Sequence, residues 1–430
     1  MKKIVIALLL CSIASQLCGD PNKIRKPIGN SYLIYPECVE EANESFHPLY
    51  YLSESVDYRM NALDLLVWWR FDIIAKYIFG LHRELQVRSD WAKDLYLAHQ
   101  RVWSNCYEAD GSKQNCGAFL SAFKKTLHSI KTKGFDPQKG KIKIDISKYP
   151  CDGSHRIASC ILFNKPIVCY HSSEKKHCTY SSAAFFKYYT KFVHAGLDNK
   201  YLDAMALEYC KLKKNTRIIV VPFGKDISLI KKTIRSYGVI VYEKEFSLTK
   251  QGIKNLFELL PQQTQSKTTN NSKETLFKIF VCEFDIPDSQ IPKAISSSFN
   301  PSDAHIITTD HKATIELTQM LLLDTTINFL NHRKSAVMNS LQSLLSTLEK
   351  IIAKNGLSKD HLCIFEPCIQ AAYGIKDCDH LAVALHSKKQ IPRSEIDKVL
   401  INATHQFDDI IFNPTHHFYY KGFKFAVPQK

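Results

Sequence analysis

KIKIDISKYPCDGSHRIASCILFNKPIVCY, residues 141–170, decides how the chain reads. Lys141–Ile146 alternates charged and apolar residues, as a half-buried strand does. Asp152-Gly153 then breaks the pattern, and Ile157, Ile161 and Leu162 recur at helical spacing before a short apolar strand, Pro166–Tyr170. Strand, tight turn, helix and strand is a layout that suits a phosphate. A glycine after a strand lets backbone approach a ligand, and the first amides of a helix point at an anion with the dipole behind them. Arg156 can give two parallel hydrogen bonds to phosphate oxygens, and His155 can donate or shuttle a proton. Asp152 is placed to hold either of them or to act as a base. The plainer reading makes Asp-Gly a simple turn and Ser154 a helix cap.

Outward from this segment the chain reads as α/β (α+β). Between Glu54 and Tyr107 the spacing is helical, through Leu63, Leu66, Val67, Phe71, Ile74, Tyr77 and Ile78, and then Trp91, Leu95 and Tyr96. Phe119–Ile130 is a further amphipathic helix closed by Lys131, Lys133 and Gly134. Downstream the expected order is helix 202–211, strand 217–221, helix 227–236, strand 239–242 and helix 250–260. The polar run PQQTQSKTTNNSK, 261–273, reads as a linker. Beyond it stand strands at 277–283 and 304–308, helices at 312–323 and 336–354, and aromatic strands in 410–427. The expected division is a signal peptide at 1–19, a helical region at 20–115, an α/β domain at 116–260, the linker, and a C-terminal α+β domain at 274–430.

Lys2 and Lys3 ahead of the apolar run Ile4–Ile13 read as an export signal, too short to span a bilayer, so the mature chain is expected to be periplasmic or secreted. No other apolar stretch is long enough for a transmembrane helix. Fourteen cysteines fit an oxidising compartment, with Cys106/Cys116, Cys169/Cys178 and Cys363/Cys368 as local candidates for pairing. The net charge of +15 points to acidic partners, but it is spread without a dense basic tract. Nothing in the chain reads as a recognition helix or basic arm for nucleic acid.

Together with Lys133-Gly134-Phe135-Asp136-Pro137, the strand and DGSHRIA resemble the ParB/sulfiredoxin superfamily. That resemblance covers about residues 119–171 and implies a phosphate role for Gly153, His155 and Arg156; Ser154, at the helix start, is expected to join them, and ATP or CTP with Mg2+ is the expected ligand. Ser154 stands where the sulfinic-acid reductases carry cysteine, so reductase chemistry is not implied. More widely, RFDIIAKY (70–77), ALEYCKLKKNT (206–216), HIITTDHKATIELTQMLL (305–322), YGIKDCDHL (373–381) and IIFNPTHHFYYKGFKF (410–425) resemble a group of bacterial proteins associated with surface-polysaccharide genes. In that group the C-terminal part is similar to a nucleotidyltransferase with a magnesium-binding Asp-x-Asp pair. Here Glu366-Pro367 replaces the Gly-Ser pair, and the Asp-x-Asp slot reads His380-Leu381-Ala382. Asp377 and Asp379 have the spacing in a shifted register, so the expected site is degenerate.

Other residues carry weaker signals. Asp310 reads as the cap of a helix near Lys312, with a proton-transfer or phosphate role open to His311. His405, His416 and His417 with Asp408 and Asp409 have metal-binding chemistry, but on unplaced strands they read as surface or core residues, and no metal is assigned. Trp68, Trp69 and Phe418–Tyr420 read as core rather than as sugar platforms. Two functions follow: an exported protein that binds a nucleotide or phosphorylated small molecule and transfers phosphate, with Asp152 and His155 as acid and base, or an exported binding protein in which both sites are relics.

Overall fold

The computed structural model describes residues 57–428 apart from 69, 109, 146–148, 172–196, 223–226, 261–273, 297–305, 336–337, 388–398 and 404. The export signal, Trp69, Cys178 and His305 lie outside the described residues. Helices and strands alternate along the chain, giving three sheets among the described residues and the expected α/β class.

The first sheet holds the segment that decides the fold. β1 (Asp57–Asn61) runs antiparallel to β3 (Pro166–His171), and β2 (Ile142–Ile144) lies parallel on the other side of β3. A helix was expected to reach back through Leu63, but residues 57–61 are a strand instead. Five residues of β1 find backbone partners on β3, and the Asn61 side chain accepts from Leu63 N, which turns the chain. Pairing with a distant strand outweighs local periodicity here. The helix α1 starts only at Phe71 and runs to Leu85.

α2 (Trp91–Ser104), α3 (Cys116–Lys133) and α4 (Ser154–Leu162) pack with α1 beside this sheet. Tyr96 stacks on Phe79 and on Phe123, which meet each other at a tilt, with ring centres 5.1–5.7 Å apart, and the three fill the space between these helices. Each such buried ring contributes about 2–3 kcal/mol. The Cys106–Cys116 disulfide ties the end of α2 to the start of α3, as the spacing anticipated.

The second sheet has the order β5-β6-β4-β7, from β4 (Thr216–Pro222), β5 (Gly238–Thr249), β6 (Glu274–Phe284) and β7 (Ile306–Ile307). α5 (Asn199–Leu212) precedes it, while α6 (Ile227–Tyr237) and α7 (Lys250–Leu259) fall between its strands. β6 pairs with β5 along its whole length and with β4 from Phe277 to Glu283. Residues 261–273 therefore lie between α7 and β6, within the segment that separates the paired strands β5 and β6. The linker expected at that point thus falls between two strands that pair with each other, and a polar loop and a polar linker have the same composition.

The third sheet, in the order β10-β9-β8-β12-β11, is built from β8 (Leu362–Ile364), β9 (Leu381–Leu385), β10 (Val399–Ala403), β11 (His417–Tyr420) and β12 (Phe423–Ala426). The helices α8 (Ile291–Ser296), α9 (His311–Leu321), α10 (Asp324–His332), α11 (Asn339–Asn355), α12 (Cys368–Ala372) and α13 (Asp408–Phe412) complete the described elements. Phe418 stacks on Phe329 at 4.3 Å, and Phe418–Tyr420 are buried as core residues. One apolar core runs from Ala62 to Ala426, through all three sheets. Among the described residues no helix is long and apolar enough to cross a membrane.

A protease site inserted in 261–273 tests the shared sheet. After cleavage the two pieces are expected to co-elute on size exclusion, held by the β5–β6 pairing, and separation without denaturant contradicts it.

Candidate functional site

Gly153 adopts φ 72° and starts α4 without a side-chain cap. An added Cβ would fall 2.2 Å from Ile142 Cδ1, so the turn needs glycine both for its left-handed backbone and for its contact with β2. Gly153, not Ser154, is thus the cap residue, and Ser154 is the first residue of the helix. The first bond inside the helix runs from Ile157 N to Gly153 O, 2.9 Å. The amides of Ser154, His155 and Arg156 precede it and point out of the helix start.

Arg156 keeps its guanidinium at this turn. It donates to the Gly140 carbonyl, lies 6.0 Å from the Phe135 ring centre and stands 3.9 Å from Asp152. Its side chain is 28% exposed, and that of Asp152 is 53% exposed. The Asp152 carboxylate also accepts from Lys143 N at 3.3 Å. Two stretches singled out together in the sequence, 133–137 and 152–158, are therefore neighbours through Phe135, Gly140 and Arg156.

His155 points the other way, into the protein. Its Nε2 is 2.9 Å from the Tyr96 hydroxyl, and its ring lies 4.6 Å from that of Phe123. Burial pushes its pKa well below the usual histidine range, and the positive charges of Lys76 and Lys113 push it further. The ring is half-buried and faces Tyr96 and Phe123, so the acid/base role expected of it would have to be exercised from that position.

Behind the turn lies a buried charge network. Arg70 Nη1 donates to the Pro150 carbonyl at 2.6 Å, and its Nε donates to Asp72 at 2.9 Å. Lys76 Nζ donates to the other Asp72 oxygen at 3.1 Å and stands 3.2 Å from His99 Nε2. Since the ammonium can only donate, His99 Nε2 is the acceptor. Burial alone would raise the Asp72 carboxyl, but Arg70 and Lys76 overcome it and hold the group far below the usual carboxylate range. For Lys76 burial dominates and lowers the pKa, with Asp72 opposing. The sequence marks RFDIIAKY as helical and as part of a resemblance, without joining its charges into a network. Its usable signal was Asp72 and Lys76 one helical turn apart in an otherwise apolar stretch.

The C-terminal slot is arranged differently from a magnesium site. Asp377 accepts from Cys378 N and Ser340 N, so it caps the start of α11. Asp379 is 91% exposed and pairs with His380 at 2.7 Å. Both carboxylates lie on the loop before β9 and turn to different partners, so they do not fit a shared divalent ion. The expected Cys363/Cys368 pair is also not formed. Cys363 is buried in β8, while Cys368 Sγ lies 2.9 Å from Cys378 Sγ. Cys169 is a free buried thiol.

The remaining histidines divide. Asp310 caps α9 through Ala313 N, and His311 Nε2 meets the Cys210 carbonyl at 2.7 Å. His416 pairs with Asp409, and His417 is buried against the Ile410 carbonyl. His405 instead joins Asp408 and His386, a residue that the sequence did not bring into the cluster. A separate cavity of about 540 Å³ opens beside α1, α2 and α3, lined by His82, Arg83, Lys93, Lys124 and Lys131 among others and by none of residues 152–156. No family model, curated protein or solved structure matches the chain.

Three buried histidines, His82, His99 and His417, and the half-buried His155 set an acid limit. His82 is pushed down to about 3 by burial, and His99, His155 and His417 are held well below the usual value for the same first cause. Below pH 6.5 the unfolded chain takes up protons that the folded chain refuses, so stability falls as pH falls. For His82 the window runs from 6.5 to about 3. Each fully buried ring costs about 1.4 kcal/mol per pH unit inside its window. Urea unfolding at pH 7.0, 6.0 and 5.0 is expected to show a steepening loss, and a flat profile over that range contradicts it.

Proposed function

We propose that the chain binds a phosphorylated small molecule, a nucleotide foremost, at the Gly153 turn, and that it acts as a binding protein rather than a phosphotransferase. The observation that carries this reading is the left-handed Gly153 at the start of α4 with a partly exposed Arg156 alongside. Three helix-start amides and a guanidinium that is shared with Gly140 O lie at one turn, a set of donors that favours negative charge. The fixed geometry lets these donors act without reorganising, which favours binding of a planar-charged or tetrahedral oxyanion over neutral ligands.

Transfer chemistry has less support. His155 is enclosed and occupied by Tyr96, which leaves Asp152 as the exposed carboxylate beside the turn. Asp377, Asp379 and His380 take no part in the reading, because their partners are structural. The ParB/sulfiredoxin assignment of residues 119–171 belongs to the same proposal, supported by the approach of Phe135 and Gly140 to Arg156. Export is its second element, supported by the Cys106–Cys116 disulfide, since such bonds persist in oxidising compartments.

Calorimetry with ATP and CTP, each with and without Mg2+, tests the site. Binding is expected to one of them, weakened about tenfold or more in Arg156→Gln through loss of a charge-assisted pair. An unchanged thermal midpoint in the variant separates loss of binding from loss of fold. Equal affinity in both proteins, or no binding to either, overturns the proposal.

A further inference from the structure

We propose that His386, His405 and Asp408 form a binding site for a divalent transition-metal ion, Zn2+ foremost. The Asp408 carboxylate is fully buried between two imidazoles. Its Oδ1 lies 2.7 Å from His386 Nδ1, and its Oδ2 lies 3.1 Å from His405 Nδ1. One donor atom from each residue falls within 4.8 Å of the others.

The surroundings of His386 define what this trio wants. Its Nε2 stands 2.8 Å from the Leu85 carbonyl oxygen, an acceptor that only an N–H can satisfy. With that proton in place, a neutral ring turns the Nδ1 lone pair toward a carboxylate oxygen. Two electron-rich atoms then face each other in a buried place, and something positive must sit between them. A second proton does this for one pair of atoms at a time. One divalent ion does it for all three ligands at once.

The outer contacts are those that metal sites use. A ligating histidine gives its far N–H to a backbone carbonyl, and a ligating carboxylate is itself held by donors. Leu85 O plays the first part, and Arg88 N plays the second, donating to Asp408 Oδ2 at 2.6 Å. Two nitrogens and one carboxylate oxygen suit Zn2+ and its transition-metal neighbours, whereas Mg2+ and Ca2+ prefer all-oxygen sets. Three protein ligands leave a fourth position for water or another ligand. His386 and Asp408 are enclosed, and His405, with 36% of its side chain exposed, provides the way in. Metal bonds of about 2.0–2.2 Å set ligand atoms roughly 3.3 Å apart, so the 2.7 Å contact of His386 with Asp408 must widen by roughly half an ångström, while His405, at 3.1 Å, is nearly at that spacing.

The position gives the ion a structural consequence. Its ligands follow β9 and begin α13, while their outer partners, Leu85 and Arg88, close α1 and lead into α2. A bound ion would brace the N-terminal helices against the C-terminal sheet across more than three hundred residues of sequence.

The test uses the full, tag-free chain after chelator treatment, with Zn2+ and Co2+ as the probes. Expected are one Zn2+ per chain by calorimetry, a rise in the thermal midpoint, and visible Co2+ absorption of a low-coordinate nitrogen–oxygen site. His405→Ala, at the exposed edge, is chosen because removing His386 would strand a buried carboxylate and endanger the fold. It is expected to weaken Zn2+ binding about tenfold or more, while His416→Ala, whose partner is Asp409, leaves it unchanged. Failure of the treated chain to bind either ion at micromolar concentration, or equal binding in His405→Ala, overturns the proposal and leaves a proton-bridged structural trio.

Discussion

One buried carboxylate positions the region around the candidate site. Asp72 holds two cations in a dry interior, and one of them, Arg70, reaches on to the Pro150 carbonyl two residues before the turn. Buried ion groups of this kind add little net stability, because desolvation offsets most of the attraction. Breaking one is another matter, costing about 3–5 kcal/mol by leaving charge unpaired. The network therefore works through geometry. It fixes where the chain enters Asp152-Gly153, and α1 carries that constraint into the helix packing around Phe79, Tyr96 and Phe123.

From there the turn has few freedoms left. Ile142 closes one side of Gly153 and makes any side chain there a collision. Arg156 is held against Gly140 and Phe135, so its guanidinium is already in place before a ligand arrives. His155 is drawn toward Tyr96 and Phe123, and burial holds its pKa well below the usual histidine range. The same packing thus sets both the anion-facing turn and the position of the histidine beside it.

Much of this was legible in the sequence, where local pattern and final structure agree. The strand, turn, helix and strand of 141–170, the end of α3 at Gly134, and the Cys106–Cys116 bond follow from short-range rules. What the sequence hid was long-range. β1 looked helical because Leu63 and Leu66 fall at helical spacing, yet its backbone bonds lie on β3. Residues 261–273 looked like a link between domains because no local signal says that β5 and β6 will pair. His405 and Asp408 stood three apart in plain view, but His386 comes from the end of another strand, and no spacing rule ties it to them. Asp377 and Asp379 had a meaningful spacing and no shared target, since one was claimed by a helix start.

Where an anion settles on the protein tests the Gly153 turn most directly. A structure of the full chain grown with pyrophosphate is expected to place it within hydrogen-bond reach of the Ser154, His155 and Arg156 amides and of the Arg156 guanidinium. An anion bound elsewhere on the protein, with the Gly153 turn untouched and Arg156 still committed to Gly140, would contradict the account.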